Sequence, residues 1–397
     1  MDTHKQYLRF LPRDGLAGTL IGRVWIPTSA SQKIGGPSPV LITEAGVFDL
    51  AGIAPTCSEL LNQSFSKTDA DTSRLPRVGG YAEIMANTMA KQRNTGVPYF
   101  LSPIDIQAVK ACGVTFAISM LERVIEERAA GDVKKAEAIR SKIKDSIGAD
   151  ISGVKPGSAK AEELKKALQA EGLWSQYLEV GIGPYAEVFT KAQPLSSVGI
   201  GAEVGILSVS SWNNPEPETV LLVDARGKTV GATLGNDVNL RDIEGRSALL
   251  LGKAKDNNAS CAVGPFIRLF DATFTLDDVR NQDVALTVEG EDGFKLSEAS
   301  QMKKISRDLL DLVSQTINEN HQYPDGIALF TGTLFAPTQD RGGQGLGFTH
   351  KLGDVVSISS EKLGTLQNRV AYCHQAPPWE FGVSALMKNL HQRGLLR

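Results

Sequence analysis

The chain has 397 residues, 42% of them hydrophobic and 22% charged, enough to bury a substantial core in two domains or in one small domain joined to a large one. Its 42 Lys and Arg against 45 Asp and Glu leave a formal charge of −3, which excludes a general attraction to nucleic acid or to anionic membranes. The expected partner is a small molecule.

The opening MDTHKQYLRFLPRDG lacks a basic start followed by an apolar run, and no stretch has 18 continuous apolar residues, so a cytoplasmic location is expected. Cys57, Cys112, Cys261 and Cys373 lie far apart without the CxxC spacing of a zinc or redox site, and read as reduced thiols.

In chain order, TLIGRVWIP and PVLITEAGVFDLAG read as short strands, CSELLNQ as a helix, and residues 64 to 94 as a polar stretch. Residues 1–100 are expected to form a small N-terminal α/β domain and 101–397 a catalytic one. From about 119 to 178 the composition turns to Ala, Glu, Lys and Leu, predicting two or three amphipathic helices in a lid-like insertion. After Val188 the chain reads as strands and Gly/Pro turns, among them TVLLVDARGKTVGATLGND, DVALTVEG, IALFTGTLF and DVVSISS, with one helical run near RDLLDLVSQTINENH. GGQGLG at 342–347 lacks the flanking strand and helix of a dinucleotide fingerprint and reads as a loop.

The segment SWNNPEPE precedes TVLLVDA. If the strand reaches back through it, Glu216 and Glu218 project to one side, and Pro217, unable to donate a ladder hydrogen bond, marks a sheet edge or a strand start. A tight turn at ARGKT makes paired positions sum to roughly 453, which puts Asp237 opposite Glu216 and beside Glu218. Three carboxylates without His or Cys suit a hard cation: Mg²⁺ foremost, with Mn²⁺ or Ca²⁺ as alternatives. From spacing alone, a solvated strand end carries equal weight.

GNDVNLRDIEGRSALLLGKAKDNNASCAVGPF resembles the signature region of the fumarylacetoacetate hydrolase superfamily, in which an E-x-E segment precedes NDV-x-x-RD, GK and a Cys-containing turn ending in GP. GVTFAISMLE (113–122), FTKAQPLSS (189–197), IALFTGT, GDVVSIS and LGTLQNRV resemble further family segments in the same order. The resemblance implies an α+β, β-rich mixed-sheet roll with a small N-terminal domain and a helical insertion, and metal ligands at Glu216, Glu218 and Asp237. It also implies an active-site lysine at Lys253 and substrate-pocket positions at Lys191, Arg241 and Thr333.

Two positions depart from the family pattern. Members that hydrolyse carbon–carbon bonds carry a His followed three residues later by Glu; here the aligned residues are Ser119 and Glu122, and a hydroxyl cannot replace imidazole as a base near neutral pH. Glu244 stands where relatives often have Gln, as an extra acid/base group or a neighbour of Arg241. Within the superfamily the likeness is to members that dehydrate 2-keto-3-deoxy-pentonates, and it implies a Mg²⁺-dependent hydro-lyase forming 2-oxoglutarate semialdehyde, commonly a homodimer. On that reading Lys253 serves C3 deprotonation, Glu122 with Ser119 the departure of the C4 hydroxyl, and Lys191, Arg241 and Thr333 the binding of substrate. An acylpyruvate hydrolase or decarboxylase and a non-catalytic keto-acid-binding protein are the alternatives. The scattered histidines and Cys261 offer no nucleophilic site.

Overall fold

The computed structural model describes residues 5–29, 33–136, 138–139, 154–170, 172 and 174–396. Sixteen strands are present among them: β1 (Leu20–Ile26), β2 (Gly36–Thr43), β3 (Gly46–Asp49), β4 (Arg77–Gly79), β5 (Tyr99–Phe100), β6 (Ala108–Gly113), β7 (Glu187–Ala192), β8 (Glu203–Ile206), β9 (Pro217–Val223), β10 (Thr229–Asp237), β11 (Cys261–Leu269), β12 (Asp283–Glu289), β13 (Lys295–Gln301), β14 (Ile327–Phe330), β15 (Val355–Ser360) and β16 (Gly364–Tyr372). They form an 11-stranded sheet in the order β4-β3-β2-β1-β11-β10-β9-β14-β6-β7, with β5 beside β1, and a five-stranded sheet in the order β13-β12-β15-β16-β8. β14–β6 and β16–β8 pair parallel. Helices interrupt the strands, so the architecture is the expected α+β one with mixed sheets.

The five-stranded sheet packs against β9, β10 and β11; β9 and β11 are buried along their whole length and accordingly read as largely apolar runs. Alternation along β9 divides the core. Leu221 and Val223 join Leu234, Phe266, Leu286 and Ile358 between the sheets, whereas Val220 and Leu222 join Ile21, Leu41, Ile267 and Phe330 on the opposite face. Glu216 and Glu218 continue the even-numbered row. Gly235 faces Glu218 across the ladder, and a Cβ there would lie 2.3 Å from the Phe330 ring, so only glycine fits against it.

β1 to β4 run in the same sheet as β6, β7, β9, β10 and β11. The stretch 64–94, expected only to be polar, contains β4 and a nine-residue helix, α1 (Tyr81–Met89). Tyr81, Ile84, Met85 and Thr88 form its buried stripe, and Glu83 accepts the Gly80 N–H at 3.0 Å to close its first turn. The helical insertion supplies α2 (Ala117–Ala129), α3 (Ala159–Ala170) and α4 (Gln176–Ile182), whose Met120, Val124, Leu168 and Leu178 pack together with Trp212. The stretch RSKIKDSIG lies outside the described residues. The 3.6-residue period that buries Val124 and Ala129 also buries Ser119, Glu122, Arg123 and Glu126, so α2 turns a charged face inward.

Candidate metal centre

The β9–β10 hairpin keeps the predicted register. Gly235 pairs with Glu218 and Asn236 with Pro217, and the Asp237 N–H donates to the Glu216 carbonyl at 3.1 Å. Pro217 opens β9, which lies inside the sheet between β10 and β14, so its missing N–H marks a strand start rather than an edge. Glu216, Glu218 and Asp237 each offer a carboxylate oxygen within 4.8 Å of the others. Their exposures are 2%, 1% and 2%, which rules out the solvated strand end.

Four cations meet this cluster and its surroundings. Lys255 donates to Glu216 at 2.5 Å and to Asp237 at 3.1 Å; Lys191 lies 2.9 Å from the other Asp237 oxygen. Arg123 donates to the second Glu216 oxygen, to Glu126 at 2.6 Å, and lies 3.0 Å from Glu244. Arg241, stacked 4.8 Å from the Trp212 ring, joins Glu126 at 2.6 Å to Glu122 at 3.2 Å. Glu218 differs from its neighbours in accepting the backbone N–H of Gly332, at 2.7 Å.

These contacts set the protonation states. Burial, then the charges of Asp237 and Glu216, push the Glu218 carboxyl well above the usual carboxylate range. Burial also acts on Asp237, but Lys191 and Lys255 outweigh it and hold that carboxyl below its ordinary value. Burial opposes the Lys255 charge, yet Asp237, Glu216 and Glu244 keep its ammonium protonated far past the ordinary lysine range. Glu187, at the start of β7, is pushed up to about 7 by burial and by Glu244.

The donor set fits a hard divalent cation. Six linked carboxylates (Glu122, Glu126, Glu216, Glu218, Asp237, Glu244) face four cations (Arg123, Lys191, Arg241, Lys255), an excess of two negative charges when all are ionised. An unbalanced charge excess held out of water costs several kcal/mol per ion, and oxygen-only ligands select Mg²⁺-like ions.

The other expected residues fall at different distances from this centre. Lys253 is exposed on the five-residue helix α5 (Leu251–Lys255), away from the carboxylates; the lysine among them is Lys255. Lys191 is fully buried behind Asp237, donating also to the Lys255 carbonyl, so it holds the ligand and the backbone of the neighbouring turn. The Ser119 hydroxyl donates to the Phe116 carbonyl at 2.8 Å, and the Thr333 hydroxyl to the Phe335 carbonyl at 2.7 Å, one residue beyond the Gly332 that holds Glu218. A cavity of about 500 Å³ opens beside Glu122, lined also by Ile118, Leu121, Phe335 and Thr338. Sequence reasoning misses Arg123, Glu126, Glu187 and Lys255. Burial pushes the Cys261 thiol up to about 12, which makes it inert at neutral pH.

Residues 191–371 match the family model described as fumarylacetoacetate hydrolase C-terminal. The chain is 33% identical over 183 residues to the 2-dehydro-3-deoxy-D-arabinonate dehydratase of Saccharolobus solfataricus, a match covering 45% of this chain and 57% of that protein. It is 32% identical over 194 residues to a probable 2-keto-3-deoxyxylonate dehydratase of Haloferax volcanii, covering 49% and 63%. Either match therefore spans less than two thirds of the relative's own length. Among solved structures, a 2-keto-3-deoxy-D-arabinonate dehydratase complexed with magnesium and 2,5-dioxopentanoate superposes with a TM-score of 0.59 at 22% identity, over 89% of this chain and 99% of that one. No helix among the described residues is long and apolar enough to cross a membrane. Residues 191–371 thus resemble the fumarylacetoacetate hydrolase C-terminal domain, and the α+β fold is shared with the solved dehydratase.

Proposed function

We propose that this chain is a Mg²⁺-dependent hydro-lyase that converts a 2-keto-3-deoxy-pentonate to 2-oxoglutarate semialdehyde, with Glu216, Glu218 and Asp237 as the metal ligands. The observation that carries the choice of water loss over hydrolysis lies on α2. The residue three before Glu122 is Ser119, whose hydroxyl is spent on the Phe116 carbonyl, so no imidazole stands there beside Glu122 to activate water. The dehydratase names of the matched relatives support the same choice.

Glu216, Glu218 and Asp237 would hold Mg²⁺, which would supply the Lewis acidity that acidifies the C3 hydrogens of a 2-keto acid. The Glu122 carboxylate, held by Arg241 and lining the cavity, accepts a proton from C3. The electron pair released forms the C3–C4 double bond as the C4–O bond breaks, and Glu122 returns the proton to the departing hydroxyl, which leaves as water. Tautomerisation of the 5-hydroxy enone gives the semialdehyde. The Lys255 ammonium steadies negative charge that develops beside Glu216 and Asp237. Arg241, paired with Glu122, and Thr333 orient substrate, Glu244 holds Arg123, and Lys191 keeps Asp237 in place. In place of Lys253, Glu122 takes the C3 proton and Lys255 is the lysine beside the carboxylates.

In this reading residues 1–100 support a catalytic unit of 101–397, and the insertion of about 119–178 excludes water from the reacting groups. Four buried free cysteines suit a reducing cytoplasm, and Leu249, 96% exposed, suits a contact between subunits of a homo-oligomer. The test is to offer purified protein, with Mg²⁺, either 2-keto-3-deoxy-D-pentonate or an acylpyruvate. Semialdehyde from the former is expected; faster pyruvate release from the latter would replace the reading with a hydrolase.

A further inference from the structure

A second cavity, of about 540 Å³, lies between β1, β5 and the segments 195–203 and 377–381, and shares no lining residue with the carboxylate cluster. Its apolar walls include Trp25, Tyr99, Phe100 and Phe381, with Trp25 and Phe381 edge to face at 5.5 Å. Its polar lining is cationic: Arg23, Lys91 and Arg93 against Glu203.

Its two arginines, Arg23 buried and Arg93 half-buried, are unlike the other buried arginines of this protein. Arg123, Arg241, Arg268 and Arg341 each meet a carboxylate. Arg23, 6% exposed, gives its Nη1 hydrogens to the carbonyls of Ser102 and Ile104, at 3.3 and 3.0 Å. Arg93 lies 4.7 Å from the Tyr99 ring centre and donates to the Thr88 carbonyl at 3.2 Å, while its buried Nε has no hydrogen-bond partner. Neither has a carboxylate within 4.0 Å among the described residues. Burial lowers the Arg93 pKa from its ordinary value, as expected of a guanidinium held without an anion. Dehydrated guanidinium groups lacking a counter-charge, beside flat aromatic walls, match an organic anion in both of its parts.

We propose that this cavity binds an organic carboxylate with a flat apolar body, its charge met by Arg93 and Lys91 and its body set against Trp25 and Tyr99. The site is separate from the metal centre and does not depend on the dehydratase reading.

The probes are 2-naphthoate and its neutral counterpart 2-naphthalenemethanol, titrated by calorimetry and tryptophan fluorescence into the full chain with EDTA present, so that the carboxylate trio takes no part. Naphthoate should bind at least about tenfold more tightly than the alcohol, as a charge-assisted hydrogen bond implies. Arg93→Gln should remove that preference, and Lys91→Glu, on an exposed side chain that folding does not require, should weaken naphthoate severalfold with an unchanged melting curve. Equal affinities, no binding of either probe, or no effect of Lys91→Glu and Arg93→Gln would overturn the proposal. So would exclusion of naphthoate by a concentration-dependent dimer that Trp379→Glu dissociates, since the face would then belong to a second copy of this chain.

Discussion

Two ionic clusters in this protein look alike and differ in burial and arithmetic. Around Arg341, the guanidinium meets Asp354 at 2.6 and 2.8 Å and Asp292 at 2.9 Å, and Lys351 meets Asp292 at 2.9 Å. Two acids face two bases, and burial keeps the neighbouring His350 below its ordinary pKa. Around Glu216, four bases face six acids, and Glu218 is driven well above the carboxylate range by burial and its acidic neighbours. Short contacts are common to both, but Asp292 and Lys351 reach solvent whereas the carboxylates around Glu216 are buried; there the surplus of negative charge suits a divalent cation.

The largest effect is expected from Glu218→Gln. The side chain contacts only the Gly332 N–H through an oxygen that the amide can keep, so the fold should persist while turnover falls by about 100-fold or more. Retained turnover at saturating substrate would remove Glu218 from the centre. Next come Arg123→Gln and Asp354→Asn, which break one cluster each. Each should cost about 3 kcal/mol of stability in metal-free protein, measured by denaturant melts, because a buried partner loses its counter-charge. Mg²⁺ should restore part of the loss only for Arg123→Gln; equal restoration in both would erase the distinction between the clusters.

A smaller effect is expected from pH. The Glu187 carboxyl sits at about 7 in the folded chain, above its ordinary 4.5, so between those values the unfolded chain has already given up a proton that the folded one retains. Metal-free stability should therefore fall as pH rises through that window, and Glu187→Gln should flatten the slope. Asp354, held low chiefly by Arg341 against the effect of burial, acts oppositely: its contribution is present above the usual carboxylate range and lost as pH falls through its depressed value. A melting temperature that rises between pH 5 and 7 in wild type would contradict the assignment for Glu187. The smallest effect belongs to Lys253→Ala, expected to change turnover less than about twofold since the side chain is exposed. A hundredfold loss would return the active-site role to Lys253.

How far the sequence carries depends on the range of the interaction. Glu216, Glu218 and Asp237 come from one hairpin, where a period of two and a tight turn determine which side chains face each other, and the sum near 453 holds through Gly235–Glu218 and Asn236–Pro217. The α2 stripe is legible for the same reason at a different period. The cations are not. Lys253 and Lys255 lie about 200° apart around a helix, so only one can face the carboxylates, and nothing within LGKAK says which. Arg123 is legible as an i,i+3 partner of Glu126, but its bonds to Glu216 and Glu244 join segments some hundred residues apart. Of the fold, the strand runs are readable; that β1–β4 enter the same sheet as β9–β11 depends on the β1–β11 pairing, a contact across some 240 residues.

The most direct test of the central claim is a calorimetric titration of Mg²⁺ into EDTA-stripped, dialysed protein, alongside Glu218→Gln. The charge surplus predicts one Mg²⁺ per chain, with protons released as Glu218 ionises, and binding weakened at least about tenfold in the variant. Absence of binding in the wild-type protein, or an affinity that Glu218→Gln leaves unchanged, would contradict it.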